Sequence, residues 1–189
     1  MSESRSFKVA FIGSHGVGKT TLCYGLAAGL KSRDVTLEVV REVARRSPLP
    51  INQFTSVASQ AWILHTQIAE ELAADAHNGA VICDRSVLDN YVYMLVAAGP
   101  QAPLEPLVDH WMTTYDLLLH VPILDAPSAD GIRALDPAFQ RAIDHRLLTE
   151  LERRALPVEF LDGSTRDGWL DTAVTKVLDL LEPPQLQLL

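Results

Sequence analysis

The chain has 189 residues, of which 48% are hydrophobic and 21% are charged, a balance that predicts a single globular domain over residues 1–189. The net charge of −8 disfavours a nucleic-acid partner, because binding to a polyanion normally needs a basic face. The sequence contains neither an apolar run of membrane-spanning length nor a secretory leader, so we expect no membrane partner and a cytoplasmic location.

Short apolar runs alternate with helical patterns along the chain. The runs are predicted to be strands, and they cover residues 8–12, 36–40, 80–83, 117–121 and 158–161. The predicted helices cover residues 19–32, 57–76, 87–115 (as a broken helix), 137–154 and 167–181. Nearly continuous apolar strands are typical of parallel strands that are buried on both faces. The pattern therefore predicts an α/β fold, a three-layer doubly wound sandwich with a five-stranded parallel sheet, and a ligand at the carboxyl ends of the strands.

Residues 13–20, with the sequence GSHGVGKT, follow the first predicted strand and open the first predicted helix. This segment, called the phosphate loop below, matches the pattern G-x-x-x-x-G-K-[ST] of the P-loop NTPase fold. Glycines in such a loop let successive N–H groups and the helix N-terminus point at phosphate oxygens. The alternative, a glycine-rich turn that binds nothing, is disfavoured by the strand and helix on either side. The motif predicts a nucleoside triphosphate ligand.

Individual residues of the phosphate loop have predicted roles. Lys19 would reach the β- and γ-phosphates, and the Thr20 hydroxyl would ligate Mg²⁺. The candidate nucleotide-binding residues in and beside the loop are Gly13, Ser14, His15, Gly16, Val17, Gly18, Lys19, Thr20 and Thr21.

Asp84 and Arg85 directly follow the third predicted strand. In a doubly wound sheet this place faces the ligand. The Asp84 carboxylate would hold Mg²⁺ or orient the phosphoacceptor, and Arg85 would pair with phosphate or with the acceptor. The plainer interpretation is that Asp84 or Ser86 caps the next helix. Both interpretations can hold together.

Glu42 follows the second predicted strand in the same way. Its carboxylate would take the proton of an acceptor hydroxyl. The alternative is an ordinary salt bridge between Glu42 and Arg45 or Arg46 on a solvated helical turn. The sequence leaves both interpretations open.

The region from about residue 122 to 146 combines a loop rich in Pro, Asp and Ser with the start of a helix. We interpret it as a lid, because a lid excludes water from a phosphoryl-transfer site. Arg133 is the first candidate for stabilising charge on the transferring phosphoryl group, and Arg141 is the second. Arg146 is instead predicted to pair with Glu150 on a helix surface.

The predicted helix over residues 57–76 carries Gln60, Trp62 and Gln67 beside its apolar face. An aromatic ring with an amide nearby can stack on a nucleotide base and read its edge. A Trp at helical spacing is nonetheless more often a core residue. The sequence does not separate these two roles.

Taken together, these motifs resemble the P-loop kinases of the nucleoside and nucleotide kinase group, and most closely the nicotinamide-riboside-kinase-like ATPase domains of NadR-type proteins. The matching segments are residues 13–21, 41–45, 60–70, 84–91 and 130–133. The resemblance implies that Lys19 and Thr20 serve ATP and Mg²⁺. It also implies that Asp84 acts at the metal or as the base, with Arg85 near the acceptor and Arg133 in the lid.

We therefore predict an ATP- and Mg²⁺-dependent phosphotransferase whose partner is a small-molecule phosphoacceptor, a nucleoside or riboside. A nucleoside monophosphate kinase is the alternative, and it would need a second phosphate-binding set, for which Arg41, Arg45 and Arg46 are available. We also allow for a homodimer. The tail, residues 182–189, either lies on the surface or packs on a partner.

A regulatory GTPase or a nucleotide sensor is the alternative from another class. GTPases read guanine with an N/T-K-x-D element after a late strand. The nearest candidate here, Thr175 followed by Lys176, has Leu178 where the aspartate belongs. This difference favours the kinase.

Overall fold

The computed structural model describes residues 5–51, 54–76, 78–125 and 136–181. Its strands are β1 (Phe7–Ile12), β2 (Leu37–Val40), β3 (Ala80–Asp84), β4 (Leu117–His120) and β5 (Glu159–Phe160). Its α-helices are α1 (Lys19–Lys31), α2 (Val57–Asp75), α3 (Val87–Ala98), α4 (Glu105–Met112), α5 (Pro137–Arg153) and α6 (Trp169–Leu181).

The strands form one parallel sheet in the order β2-β3-β1-β4-β5. Ala10 at the centre of the sheet pairs with Cys83 on one side and with Leu118 on the other. The predicted five-stranded parallel sheet is therefore confirmed.

Helices cover both faces of the sheet, because successive residues of β1 point to opposite sides. Val9 and Phe11 belong to a buried core with residues of α1 and α6. Ala10 and Ile12 belong to a second core with residues of α2, α3, α4 and α5. The predicted three-layer sandwich is confirmed.

Two local features refine the predicted elements. The broken helix expected over residues 87–115 consists of α3 and α4, and Gly99 ends α3 with a φ of +73°. A short 3₁₀ helix at Val43–Arg46, which the sequence pattern did not predict, follows β2. It brings Arg45 within hydrogen-bond distance of Glu42. The predicted tail at residues 182–189 lies outside the described residues.

Within residues 5–51, 54–76, 78–125 and 136–181, no helix combines the length and the apolar character that a membrane span requires.

The glycine that opens the phosphate loop is needed for the fold itself. Gly13 has a φ of +135°, and a Cβ atom there would lie 2.7 Å from the carbonyl oxygen of Val121. We expect Gly13→Ala to lower the free energy of unfolding by about 3 kcal/mol, from backbone strain and overpacking together. Denaturant titration of the unliganded protein measures this loss.

Gly163→Ala is the matched control, because a Cβ atom at Gly163 would have no heavy atom within 4 Å. Its stability should stay within about 0.5 kcal/mol of the unsubstituted protein. Equal stabilities for the two variants would contradict the close approach at Gly13.

Candidate active site

The phosphate loop joins the buried end of β1 to the first turn of α1. Gly13, Gly16 and Gly18 have φ values of +135°, +80° and +104°, which residues with a Cβ atom rarely adopt. Gly18 is the N-cap of α1 and has no side chain with which to cap it. The first N–H groups of α1 therefore present partial positive charge to a bound anion.

Lys19 is folded back over the loop. Its side chain is buried, and Nζ donates hydrogen bonds to the carbonyl oxygens of Gly13 at 2.8 Å and Ser14 at 2.5 Å. Burial and, to a smaller extent, the nearby Arg85 guanidinium lower the pKa of Lys19 to about 8, although neighbouring carboxylates oppose them. A bound polyphosphate would raise this pKa again.

The hydroxyl of Thr20 donates a 2.5 Å hydrogen bond to Oδ2 of Asp84. Asp84 is buried at the end of β3, and burial raises the pKa of its carboxyl group, although Lys19 and Thr20 oppose this. A hydroxyl and a carboxylate side by side are the oxygen donors that Mg²⁺ prefers, so these two residues fit the metal. Asp84 does not cap α3, because Ser86 does so in a capping box with Asp89.

Glu42 lies between two arginines. Its Oε1 accepts hydrogen bonds from Nε and Nη2 of Arg85 at 3.0 and 2.8 Å, and its Oε2 accepts one from Nε of Arg45 at 2.8 Å. Burial alone would raise the pKa of Glu42, but Arg85, Lys19 and Arg45 outweigh it and hold the pKa well below its usual range. The salt bridge to Arg45 is therefore present, and Glu42 is a weaker base than we expected from the sequence.

Arg85 combines a buried charge with an unusual backbone. Its φ is +98°, its side chain is 5% exposed, and its guanidinium lies 5.2 Å from the centre of the Tyr93 ring. Among the residues that the structure describes, Nη1 of Arg85 has no hydrogen-bond acceptor. Strain and an unpaired buried donor at one residue are typical of functional sites.

A cavity of about 160 Å³, called the arginine pocket below, opens beside the phosphate loop. It is lined by Thr20, Tyr24, Arg41, Glu42, Arg45, Arg46 and Asp84. A narrower cleft on the loop side is lined by Gly16, Val17, Gly18, Lys19, Thr20, Glu42, Asp84 and Arg85. The two spaces share Thr20, Glu42 and Asp84, so the phosphate loop and the arginine pocket meet at these side chains.

The start of α5 holds the phosphate loop from the other side. Ser14 donates a 2.8 Å hydrogen bond to the carbonyl oxygen of Gln140, and the Gln140 amide donates one of 2.8 Å to the carbonyl oxygen of His15. The His15 ring lies 5.7 Å from that of Phe139 and 6.4 Å from that of Tyr93. The outer edge of the loop is thus fixed by α5.

Three further arginines were singled out in the sequence: Arg133, Arg141 and Arg146. Arg133 falls in residues 126–135, outside the described residues. Arg141 is exposed on α5, next to Gln140. The predicted pair between Arg146 and Glu150 is confirmed at 2.8 Å.

Two residues that the sequence patterns did not predict lie against the phosphate loop. Asp89 accepts a 2.9 Å hydrogen bond from the backbone N–H of Gly13, which ties α3 to the loop. Arg166 lies against the loop, and its Nη1 atom is 3.5 Å from the point where a Cβ atom at residue 18 would stand. Arg166 also forms an ion pair with Asp125 at 2.8 Å. The place of Arg166 after the last strand was a usable signal, since ligands bind at that edge.

Two of the three candidate base-reading residues of α2, Gln60 and Gln67, form hydrogen bonds with other groups of the protein. Gln60 is buried and donates a 2.6 Å hydrogen bond to Thr55, and Trp62 is half-buried. Gln67 is fully buried, and its amide donates to Glu71 and to the carbonyl oxygen of Arg85. Gln67 therefore supports the backbone of Arg85.

The fold is similar to that of several solved nucleotide-handling proteins. Over 92% of its length the chain is similar to the NadR protein in a crystal structure with NR, at 25% sequence identity and a TM-score of 0.73. The match covers 51% of that NadR chain, so the present chain spans about half its length.

Two smaller proteins share the fold at lower identity. Thymidylate kinase from Ehrlichia chaffeensis matches 95% of the chain over 100% of its own, at 15% identity and a TM-score of 0.63. Deoxyadenosine kinase from M. mycoides, solved with bound dATP, matches 93% of the chain over 98% of its own, at 15% identity and a TM-score of 0.61. The likeness to NadR and to these kinases confirms the resemblance inferred from the motifs.

A search of curated proteins found no match. The family model described as an AAA domain matches residues 8–167, a region that contains the phosphate loop and all five strands except the first residue of β1. The chain therefore belongs to the AAA domain family AAA_28.

Proposed function

We propose that this protein is an ATP- and Mg²⁺-dependent phosphotransferase whose acceptor is the hydroxyl group of a nucleoside or riboside. The contact between Thr20 and Asp84 carries the proposal, because it lies where the phosphate loop meets the arginine pocket. A donor site and an acceptor pocket that share such a pair can hold two substrates in line for transfer.

The donor half of the proposed site is built from the phosphate loop. The backbone N–H groups of the loop and the start of α1 would bind the phosphates of ATP, and Lys19 would exchange its two carbonyl contacts for phosphate oxygens. Thr20 and Asp84 would hold Mg²⁺, which supplies neutralisation of charge on the phosphates.

The acceptor half would use Glu42 and Arg85. In a loose phosphoryl-transfer transition state the acceptor hydroxyl loses its proton late, so a permanently ionised carboxylate can orient that hydroxyl without being a strong base. We therefore assign Glu42 to orienting the acceptor, and Nη1 of Arg85 to the transferring phosphoryl group. Arg133 and Arg141 remain proposed cations of the lid over residues 122–146.

The similarity to NadR supports the choice of a riboside acceptor, since that NadR structure contains NR. The arginine pocket favours a second candidate. Arg41, Arg45 and Arg46 line it together with two carboxylates, Glu42 and Asp84. Arg45 and Arg46 already pair with Glu42 and Glu70, so Arg41 is the lining cation best able to bind an acceptor that carries a phosphate group, as in a nucleoside monophosphate kinase.

An acceptor panel separates these candidates. Release of ADP from Mg·ATP is measured with ribosides, nucleosides and nucleoside monophosphates, against a blank without acceptor. A riboside kinase gives its highest kcat/KM with an uncharged or cationic riboside. Release that no acceptor stimulates would contradict both kinase proposals and favour the regulatory NTPase or sensor.

The charge of the arginine pocket is tested by Arg41→Ala, with Arg33→Ala as the control outside the pocket. If the acceptor is a monophosphate, Arg41→Ala raises its KM about tenfold or more and leaves the KM for ATP unchanged. An unchanged KM for the best monophosphate would contradict the second candidate.

Asp84→Asn removes one charge from the proposed metal pair and keeps the shape of the side chain. We expect kcat with the best acceptor to fall about 100-fold or more, because charge on the phosphoryl group is less well balanced. The exposed Asp171→Asn is the control and should keep kcat within about twofold. Wild-type kcat for Asp84→Asn would refute the assigned role.

The lowered pKa of Lys19 predicts a pH dependence of ATP binding. Only the protonated amine attracts phosphate, so the affinity for Mg·ATP should be constant below the pKa of about 8 and fall as the pH rises through it. The limiting slope is about tenfold per pH unit. Calorimetry from about pH 7 to about pH 9.5 measures it.

The matched variant for this titration is Lys19→Ala, which should bind Mg·ATP more weakly and without this pH dependence. A fall in affinity that is equally steep in Lys19→Ala would assign the titration to another group.

A further inference from the structure

The backbone conformation of Arg85 has to be stabilised by contacts with other residues. A φ of +98° is unfavourable for a residue with a Cβ atom, so the surrounding structure must hold it. The backbone N–H of Arg85 donates to the carbonyl oxygen of Phe11 at 3.2 Å, which fixes only one side of the residue.

Two side chains hold the other side of this turn. The amide Nε2 of Gln67 donates to the carbonyl oxygen of Arg85 at 3.2 Å. The hydroxyl oxygen of Tyr115 accepts a hydrogen bond from the backbone N–H of Val87 at 3.0 Å. The turn over residues 85–87 is therefore held from α2 and from the segment that precedes β4.

Both side chains are anchored on the same carboxylate. Oε1 of Glu71 accepts hydrogen bonds from Gln67 at 2.9 Å and from Tyr115 at 2.6 Å. Burial and the Glu71 carboxylate raise the pKa of Tyr115 well above its ordinary value, so its hydroxyl keeps the proton that it donates.

Glu71 is itself fixed by two more donors. Its side chain is fully buried, and Oε2 accepts hydrogen bonds from Nε1 of Trp111 at 2.7 Å and from Nζ of Lys8 at 3.2 Å. A buried ion pair such as Lys8 with Glu71 adds little net stability compared with apolar packing. The ion pair instead helps to fix the position of Glu71, because four hydrogen-bond donors together hold its carboxylate in one orientation.

We propose that Gln67 and Tyr115, anchored on Glu71, are positioning residues that hold Arg85 in its left-handed conformation and so aim its guanidinium at Glu42 and the transferring phosphoryl group. The role in transfer rests on the proposed function. The placement of Arg85 against Glu42 does not, because that contact consists of hydrogen bonds between two side chains of the protein itself.

The test compares two substitutions beside Glu71 with a control substitution on α3. Gln67→Leu removes the amide at similar size, and Tyr115→Phe removes only the hydroxyl. Tyr91→Phe is the matched control, since the buried Tyr91 hydroxyl likewise donates to a carboxylate, Glu105 at 2.6 Å, and accepts from a backbone N–H, that of Gln101 at 3.0 Å, without contacting Glu71. The two test variants should lower kcat about tenfold or more with KM for Mg·ATP within about twofold, whereas the control keeps kcat within about twofold.

Coupling to Arg85 separates positioning from a general structural role. In an Arg85→Ala background the group to be positioned is absent, so Tyr115→Phe should change kcat by no more than about twofold. If Tyr115→Phe still lowered kcat by its full factor in that background, the proposal would be overturned.

A spectroscopic readout is independent of any acceptor. Nε of Arg85 donates to Glu42, so its N–H resonance should be resolved from those of exposed arginines, and its loss in Arg85→Lys assigns it. Tyr115→Phe and Gln67→Leu should shift this resonance toward those of the exposed arginines, and the control Tyr91→Phe should not. An unchanged resonance in both test variants would overturn the positioning proposal, even if no acceptor is ever found.

Discussion

The parallel pairing of β1 with β3 is the constraint on which the site depends. Phe11 pairs with Asp84 in this register, so the strand that ends in the phosphate loop runs beside the strand that ends in the acidic residue. The Thr20 hydroxyl can then reach the Asp84 carboxylate. A slip of one residue would turn Asp84 to the opposite face of the sheet and separate the two groups.

The site concentrates charge at this junction at a cost in stability. Lys19, Glu42, Asp84 and Arg85 are all buried within reach of one another, and burial lowers the pKa of Lys19 while raising that of Asp84. Such an arrangement is stable only if the charges balance, which the close contacts of Glu42 with Arg85 achieve. Perturbed groups that meet in a cleft are typical of sites that bind or move charge.

Sequence patterns predicted the features that depend on residues close together in the chain. Continuous apolar runs predicted the parallel strands, and the spacing of residues 13–20 predicted the phosphate loop. The salt bridge from Glu42 to Arg45 was visible as an alternative because the two residues are neighbours in sequence. The stronger pair of Glu42 with Arg85, and the support of Arg85 by Gln67, join residues far apart in sequence and depend on how α2 and β2 pack against β3.

The central claim is that the γ-phosphoryl group of ATP passes across the Thr20–Asp84 junction to a small molecule in the arginine pocket. The most direct test follows the label from ATP radiolabelled in that group, with the acceptor that best stimulates ADP release. The account predicts that labelled acceptor and ADP form in equal amounts. Label recovered only as inorganic phosphate would contradict it.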